Sequence, residues 1–158
     1  MNEVKIGSIS IETFCHATED LAKVQSAVKT LCNLNNFPDE ELAFSTSYAY
    51  GGYGNMIVIV KSELSHDPLN NSAFQYLNSK MSKLDKISMY QNFDRLVEGT
   101  HLFTRFDKQI AYQGGVKITS EDPIRVKIQF DMGFVKKNQK AEIVREYCLS
   151  THFIEKEE

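Results

Sequence analysis

The thirty residues from His101 to Phe130, HLFTRFDKQIAYQGGVKITSEDPIRVKIQF, decide how this chain is read. HLFTRFD sets Leu102, Thr104 and Phe106 against Phe103, Arg105 and Asp107, the two-residue period of a strand with one wet face. Asp107 is placed to cap a single helical turn, KQIAY, that ends at Gly114-Gly115. VKIT and IRVKIQF are expected to pair as a hairpin across Ser120-Glu121-Asp122-Pro123. In that hairpin Val116, Ile118, Ile124, Val126, Ile128 and Phe130 point inward, while Lys117, Thr119, Arg125, Lys127 and Gln129 point out.

Working outward, the same stretch lies in the one basic part of an acidic chain. The formal net charge is -3, which argues against a general polyanion binder. Residues 1–100 hold eight Lys/Arg against twelve Asp/Glu, residues 101–140 hold eight against four, and the tail from Ala141 holds two against five. A local basic face on an acidic protein is therefore available, and phosphates are met by a face rather than by a mean.

Upstream, IGSISIETFC places Ile9, Ile11 and Thr13 on one side and Ser8, Ser10 and Glu12 on the other, a strand with one wet face. HATEDLAKVQSAVKTLCN follows as a helix with Thr18 as N-cap, Glu19 and Asp20 in its first turn, and a stripe of Leu21, Val24, Val28, Leu31 and Cys32. Leu42 to Ser47 reads as a short strand, YAYGGYGN as a loop, and MIVIVKSEL as a strand apolar enough to be covered on both sides. After His66-Asp67-Pro68, the set Phe74, Leu77, Met81 and Leu84 describes a helix that continues, or restarts near Asp85, as far as Gly99. Asn138 can open a last helix carrying Ile143, Val144, Tyr147 and Cys148, and residues 153–158 are expected to fray. Strands and helices mix without regular alternation, which predicts one α+β domain over residues 1–158, a two-layer fold with a mostly antiparallel sheet and helices packed on one face.

Cys15, Cys32 and Cys148 are an odd number without a Cys-x-x-Cys pair, which fits buried thiols better than disulfides or a zinc site. The first residues are charged and polar, and the longest apolar run, Met56 to Val60, falls far short of the roughly 20 residues a membrane helix needs. The expectation is a cytoplasmic protein without a membrane partner.

At FCHATED, at GN before MIVI, and above all at LFTRFDKQIAYQGGVKI, the chain resembles a small archaeal family of predicted RNA-binding proteins or exosome-associated subunits. The resemblance runs from about Ile9 to Lys127, and FDKQ-x-A-Y-x-G is its most specific part. It implies the fold of the ribosomal protein that binds 5S ribosomal RNA, a two-layer α+β domain. The family's pattern falls on His16, Thr18, Glu19 and Asp20, on Asn55, and on Arg105, Phe106, Asp107, Lys108, Gln109, Ala111 and Tyr112. The chain departs from it in the tyrosine- and glycine-rich YAYGGYGN, where a shorter glycine turn is expected.

The candidate RNA-binding residues follow. Arg125 and Lys127 stand one pleat apart on a wet strand face, Lys117 is expected opposite them, and Arg105 and Lys108 lie just before, a set that could neutralise several phosphates. The same pattern also describes a solvated sheet face. Gln109 could reach a base or sugar edge, although an Asp107 cap alone would leave Lys108 and Gln109 merely exposed. Tyr50 and Tyr53, in a glycine-rich loop beside Asn55, could stack on unpaired bases or fold back onto the body. His16, His66, His101 and His152 show no metal-ligand spacing, and there is no GxxxxGK(S/T), GxGxxG or GxSxG. The sequence thus predicts a non-catalytic RNA-binding domain without metal or cofactor, accessory to RNA processing or degradation. The alternative is a protein-interaction subunit of an RNA-processing assembly that touches little RNA.

Overall fold

In a computed structural model, residues 3–157 are described. Six strands form one sheet, every pairing antiparallel: β1 (Lys5–Cys15), β2 (Ser45–Tyr50), β3 (Met56–Leu64), β4 (Val97–Glu98), β5 (His101–Asp107) and β6 (Pro123–Asp131), in the spatial order β2-β3-β1-β6-β5-β4. The helices are α1 (Leu21–Leu31), α2 (Leu69–Lys80), α3 (Lys83–Gln91), α4 (Phe93–Leu96), α5 (Lys108–Tyr112) and α6 (Lys140–Ser150). This is the α+β architecture the sequence predicts.

The alternation in β1 and β6 works as read. Ile9, Ile11, Val126, Ile128 and Phe130 are buried, and they meet Val28 and Leu31 of α1, Phe74 and Leu77 of α2, and Val144 and Cys148 of α6 in one core. The opposite face of the sheet keeps its polar residues. Where β1 shifts register between Ile6 and Ser8, Gly7 lies under the Asp131 side chain: a Cβ there would be 2.6 Å from its carboxylate, which would have to swing aside. All three cysteines are free and buried, and burial pushes the Cys32 and Cys148 thiols up to about 12.

Several local expectations change. VKIT does not pair with β6. Asp107 donates its N–H to Lys117 O (2.7 Å) and Thr119 donates to Arg105 O (3.1 Å), so residues 117–119 lie along the far edge of β5, with a single bridge between Phe106 and Ile118. Ile118 N–H is held by Asp85 at 3.0 Å, and β5 itself is the partner of β6 on that side. Alternation fixes the faces of a strand but not which edge receives it. β3 is covered on one side only among the described residues: Val60, Ser62 and Leu64 are buried on the α1 side, whereas Ile57 and Ile59 on the other side are half-buried and Lys61 and Glu63 exposed. The tyrosine stretch is mostly strand, with Asp39–Leu42 as a 3-10 turn before it. The cap of α1 is Asp20, which accepts from Ala22 N–H at 2.9 Å; Thr18 is exposed and Glu19 turns inward. Residues 69–96 break into three helices, and Ser82 caps the second through Asp85 N–H. The last helix begins at Lys140 after a 3-10 turn over Lys137–Gln139.

The C-terminal segment does not begin to fray at residue 153. Phe153 and Ile154 are fully buried, and the Phe153 ring stacks on Phe74 with centroids 4.5 Å apart; residue 158 lies outside the described residues. Tyr147 joins them, 6.0 Å from Phe74 and 5.4 Å from Phe130.

At the other end of the molecule the FDKQ turn closes the sheet. Lys108 is 6% exposed. Its ammonium donates to Phe14 O at 2.7 Å, to both Glu19 oxygens at 3.0 and 3.2 Å, and to Asp122 Oδ2 at 3.0 Å. His16 Nε2 lies 2.9 Å from Asp122 Oδ1, and His16 N–H donates to Glu19 at 3.0 Å. Burial works to raise the Asp122 carboxyl, but hydrogen bonds from His16 and Lys108, with the Lys108 charge, outweigh it and hold the group below its usual range. FCHATED and FDKQ, the two stretches that carry the family resemblance, thus meet through one buried cation.

Two measurements check these packing assignments. Lys108→Met keeps the stem and deletes the charge, leaving Glu19 and Asp122 facing each other. It should cost about 2–3 kcal/mol in denaturant unfolding, short of the full penalty for a broken buried pair because both carboxylates reach water. A loss under about 0.5 kcal/mol would mean the contacts are incidental. Phe153→Ala should cost about 3–5 kcal/mol, whereas a frayed terminus would leave stability unchanged.

Candidate nucleic-acid interface

The face of the sheet away from α1, α2 and α6 is built by the outward positions of five strands. Register sets Lys61, Glu12, Arg125 and Arg105 in one row across β3, β1, β6 and β5. The next row runs Glu63, Ser10, Lys127 and Phe103. A third brings Ser8, Gln129 and His101 into line, with Ser8 Oγ donating to Gln129 at 3.0 Å. These side chains stand out because their neighbours in sequence are buried; the alternation that makes the core also makes the face.

Its charges are unevenly used. Glu12 pairs with Lys61 at 3.6 Å, and Glu63 accepts from Ser10 at 2.6 Å. Arg105, Lys127, Lys117 and Arg125 enter no ion pair among the described residues. Arg125 instead lies over the Phe14 ring, 5.0 Å from its centroid, and Phe103 stands exposed beside Lys127. A face with unpaired cations and aromatic rings offers phosphate contacts and stacking surfaces together.

The candidates named from the sequence separate into groups. Arg105, Arg125 and Lys127 share the open face. Lys117 is exposed but lies opposite Asp107, across β5 from Arg125 rather than beside it. Lys108, expected as an exposed phosphate contact, is buried with its donors already bonded. Gln109 is exposed and lines a groove between α1 and α5 with Thr18, Lys23 and Tyr112. Tyr50, Tyr53 and Asn55 are at the tip of the β2–β3 ribbon, which runs two rungs beyond the end of β1. Tyr53 is 96% exposed and Tyr50 77%, so neither folds back onto the body. Gly51 N–H donates to Asn55 O at 2.8 Å, and Gly54, at φ +77°, turns the tip. Tyr50 shares the α1 side of the ribbon with Tyr48, so the tip adjoins the open face at its end rather than lying on it.

Sequence reasoning missed Phe14, Lys61 and Phe103 as members of the face. The two-residue period of β1, carried on from Glu12, puts Phe14 outward, and that of β5 does the same for Phe103. The alternation of HLFTRFD already set Phe103 beside Arg105, but only the charged positions counted as candidates.

The cluster at the end of the sheet has a composition that suggests a metal. His16, Glu19 and Asp122 bring ligand atoms within 4.8 Å of one another. The Lys108 ammonium bonds both carboxylates and already supplies the positive charge, so the donor set fits a lysine cation better than a metal ion.

Comparison with known proteins bears on this face. A family model described as RNA binding matches residues 8–130. The chain is 36% identical over 146 residues to the RNA-binding protein PAB1135 of Pyrococcus abyssi, covering 89% of this chain and 92% of that protein. It is 27% identical over 146 residues to the uncharacterised protein MJ0213 of Methanocaldococcus jannaschii, covering 87% and 93%. Among solved structures, protein AF2318 from Archaeoglobus fulgidus, of the DUF54 family, superimposes with a TM-score of 0.74 at 31% identity over 91% of this chain and 100% of that one. Mth689 from Methanothermobacter thermautotrophicus, also a DUF54 protein, shares the fold with a TM-score of 0.72 at 23% identity, covering 92% and 97%. Since the match spans both stretches that Lys108 ties together and all of the sheet but the first residues of β1 and the last of β6, the chain belongs to this RNA-binding family.

Proposed function

We propose that the chain is a non-catalytic RNA-binding domain that holds phosphates and unpaired bases on the open face of its sheet. The observation that carries this reading is the juxtaposition of Arg105, Arg125 and Lys127 with Phe14 and Phe103 on one uncovered surface, none of the three cations in an ion pair among the described residues although Glu12 lies across the strand from Arg125. Cations held only for solubility gain little from such crowding: Arg105 and Arg125 are direct cross-strand neighbours, and like charges placed so repel. A polyanion relieves that repulsion. Membership of the RNA-binding family supports the choice of polyanion, and PAB1135 carries the same description.

The face suits single strands better than a duplex. Its aromatic rings are useful only to bases that are already unstacked, and the exposed Tyr50 and Tyr53 offer further rings on the ribbon tip beyond its end, Tyr50 from the α1 side. Gln109 and Asn55, exposed near that end, supply hydrogen-bonding side chains for bases or sugars. Lys108 serves the site indirectly by fixing the end of β1 and the start of β6, on which Phe14 and Arg125 ride. An accessory place in RNA processing or degradation, including association with an exosome-like assembly, is compatible with a domain that holds RNA without cutting it.

Two titrations test the reading. Arg125→Ala with Lys127→Ala should weaken single-stranded RNA binding at least tenfold and flatten the slope of log K against log salt by about 0.7 per lost phosphate contact. Unchanged affinity and slope would sink the open-face reading and favour a protein-interaction role. Tyr50→Ala with Tyr53→Ala should reduce affinity for single strands by about 1–3 kcal/mol per stacked base while sparing duplex. Equal losses on both ligands would mean that the ribbon contributes through folding.

A further inference from the structure

The outer edge of β5 is left open for three residues, and that opening is a concave site. β4 pairs with β5 only as far as the Val97–Leu102 rung. The next contact on that edge is the Phe106–Ile118 bridge, with Thr119 N–H donating to Arg105 O. Even-numbered residues of β5 turn their backbone groups toward β6, so the N–H and C=O of Phe103 and the N–H of Arg105 point to the free edge. The Val97–Leu102 rung engages the Phe103 N–H with Leu96 O, which leaves the Phe103 C=O and the Arg105 N–H without a strand partner among the described residues. They open into a cavity floored by Met89, Leu96 and Ile118 and rimmed by Ser88, Asn92 and Arg95.

We propose that this socket takes one unstacked nucleobase of a single-stranded RNA lying on the adjoining open face. The inference rests on the RNA-binding reading of that face and adds a base site to it. Free edge groups ordinarily recruit another strand. Here a through-running peptide is excluded, because β4 closes one end of the window and residues 117–119, pinned by Asp85, close the other. The window is about 10 Å long at the rise of an antiparallel strand. That length admits a planar ring and not an extended chain. The Phe103 C=O and the Arg105 N–H offer one acceptor and one donor to the polar edge of a base. The apolar floor receives the ring, a small apolar pocket with a few converging polar groups. Charge selects the rest of the ligand: Arg95 and Arg105 flank the opening, and neither is in an ion pair among the described residues. The backbone phosphates of the same nucleotide would meet them.

The socket is tested by backbone amide NMR with a hexamer of adenylate and the same hexamer carrying abasic riboses. The intact hexamer should shift the amides of Phe103 and Arg105 as well as those of Arg125 and Lys127; the abasic hexamer should shift only the latter pair. Ser88→Phe fills the cavity from an exposed helix position, should abolish the Phe103 and Arg105 shifts, and should weaken the intact hexamer roughly tenfold with no change in salt slope. Shifts at Arg125 and Lys127 without base-dependent shifts at Phe103 and Arg105 would overturn the socket and leave the face standing. No shift at any of the four amides would overturn both.

Discussion

A single ammonium group, buried at one end of the sheet, constrains the rest of the molecule. An isolated cation placed in the interior would cost several kcal/mol, and Lys108 avoids that cost only when its three protons find acceptors from different parts of the chain. Phe14 O comes from the end of β1, Glu19 from the turn into α1, and Asp122 from the turn into β6. Their convergence sets the end of β1 against the start of β6 and aims α1 down one side of the sheet. The other side is left without cover. The ring of Phe14, whose own carbonyl belongs to the cluster, and the guanidinium of Arg125, three residues past Asp122, are thereby held in contact at 5.0 Å. The lysine acts on the interface by placing the strands that carry it.

The basic surplus of residues 101–140 therefore divides between two kinds of work. Lys108 is spent on the fold. Arg105, Arg125 and Lys127 make little contribution to stability where they stand, since exposed charges interact weakly through water and two of these are neighbours of like sign. Their value lies with a ligand that brings negative charge. Seen this way, the acidic total of the chain and its basic face are compatible, because most of the acids lie elsewhere and the two on the face are engaged, Glu12 by Lys61 and Glu63 by the Ser10 hydroxyl.

Sequence periodicity was sufficient for the faces of β1, β5 and β6, because a side-chain period of two depends only on local backbone geometry. It placed Arg105, Arg125 and Lys127 outward and named the residues of the core. What it could not supply was the partner of each edge. VKIT alternates as a strand should, yet Ile118 is captured by the far edge of β5 and by Asp85, a residue thirty-three positions away. Lys108 was misjudged for the same reason: a charged residue after a strand reads as exposed until three distant acceptors surround it. At the C terminus EKEE suggested fraying, while the two residues just before it, Phe153 and Ile154, had a hydrophobic cavity to fill.

The misplaced hairpin also explains the shape of the site. Had VKIT paired with β6, β5 would have been displaced and its edge would have been that of an ordinary terminal strand, open along its whole length. Because residues 117–119 instead bond to the last residues of β5 while β4 takes its first two, the free groups are confined to Phe103 and Arg105. An edge limited in this way cannot template another chain, which removes the aggregation hazard of an open strand. It retains two backbone groups without a strand partner, the Phe103 C=O and the Arg105 N–H, next to two arginines. Those groups remain solvated in the free protein at little cost, and they are fixed by the sheet before any ligand arrives. A rigid set of donors and acceptors at the margin of a basic, aromatic face can discriminate a base held at one register, whereas the face alone would hold any single strand alike.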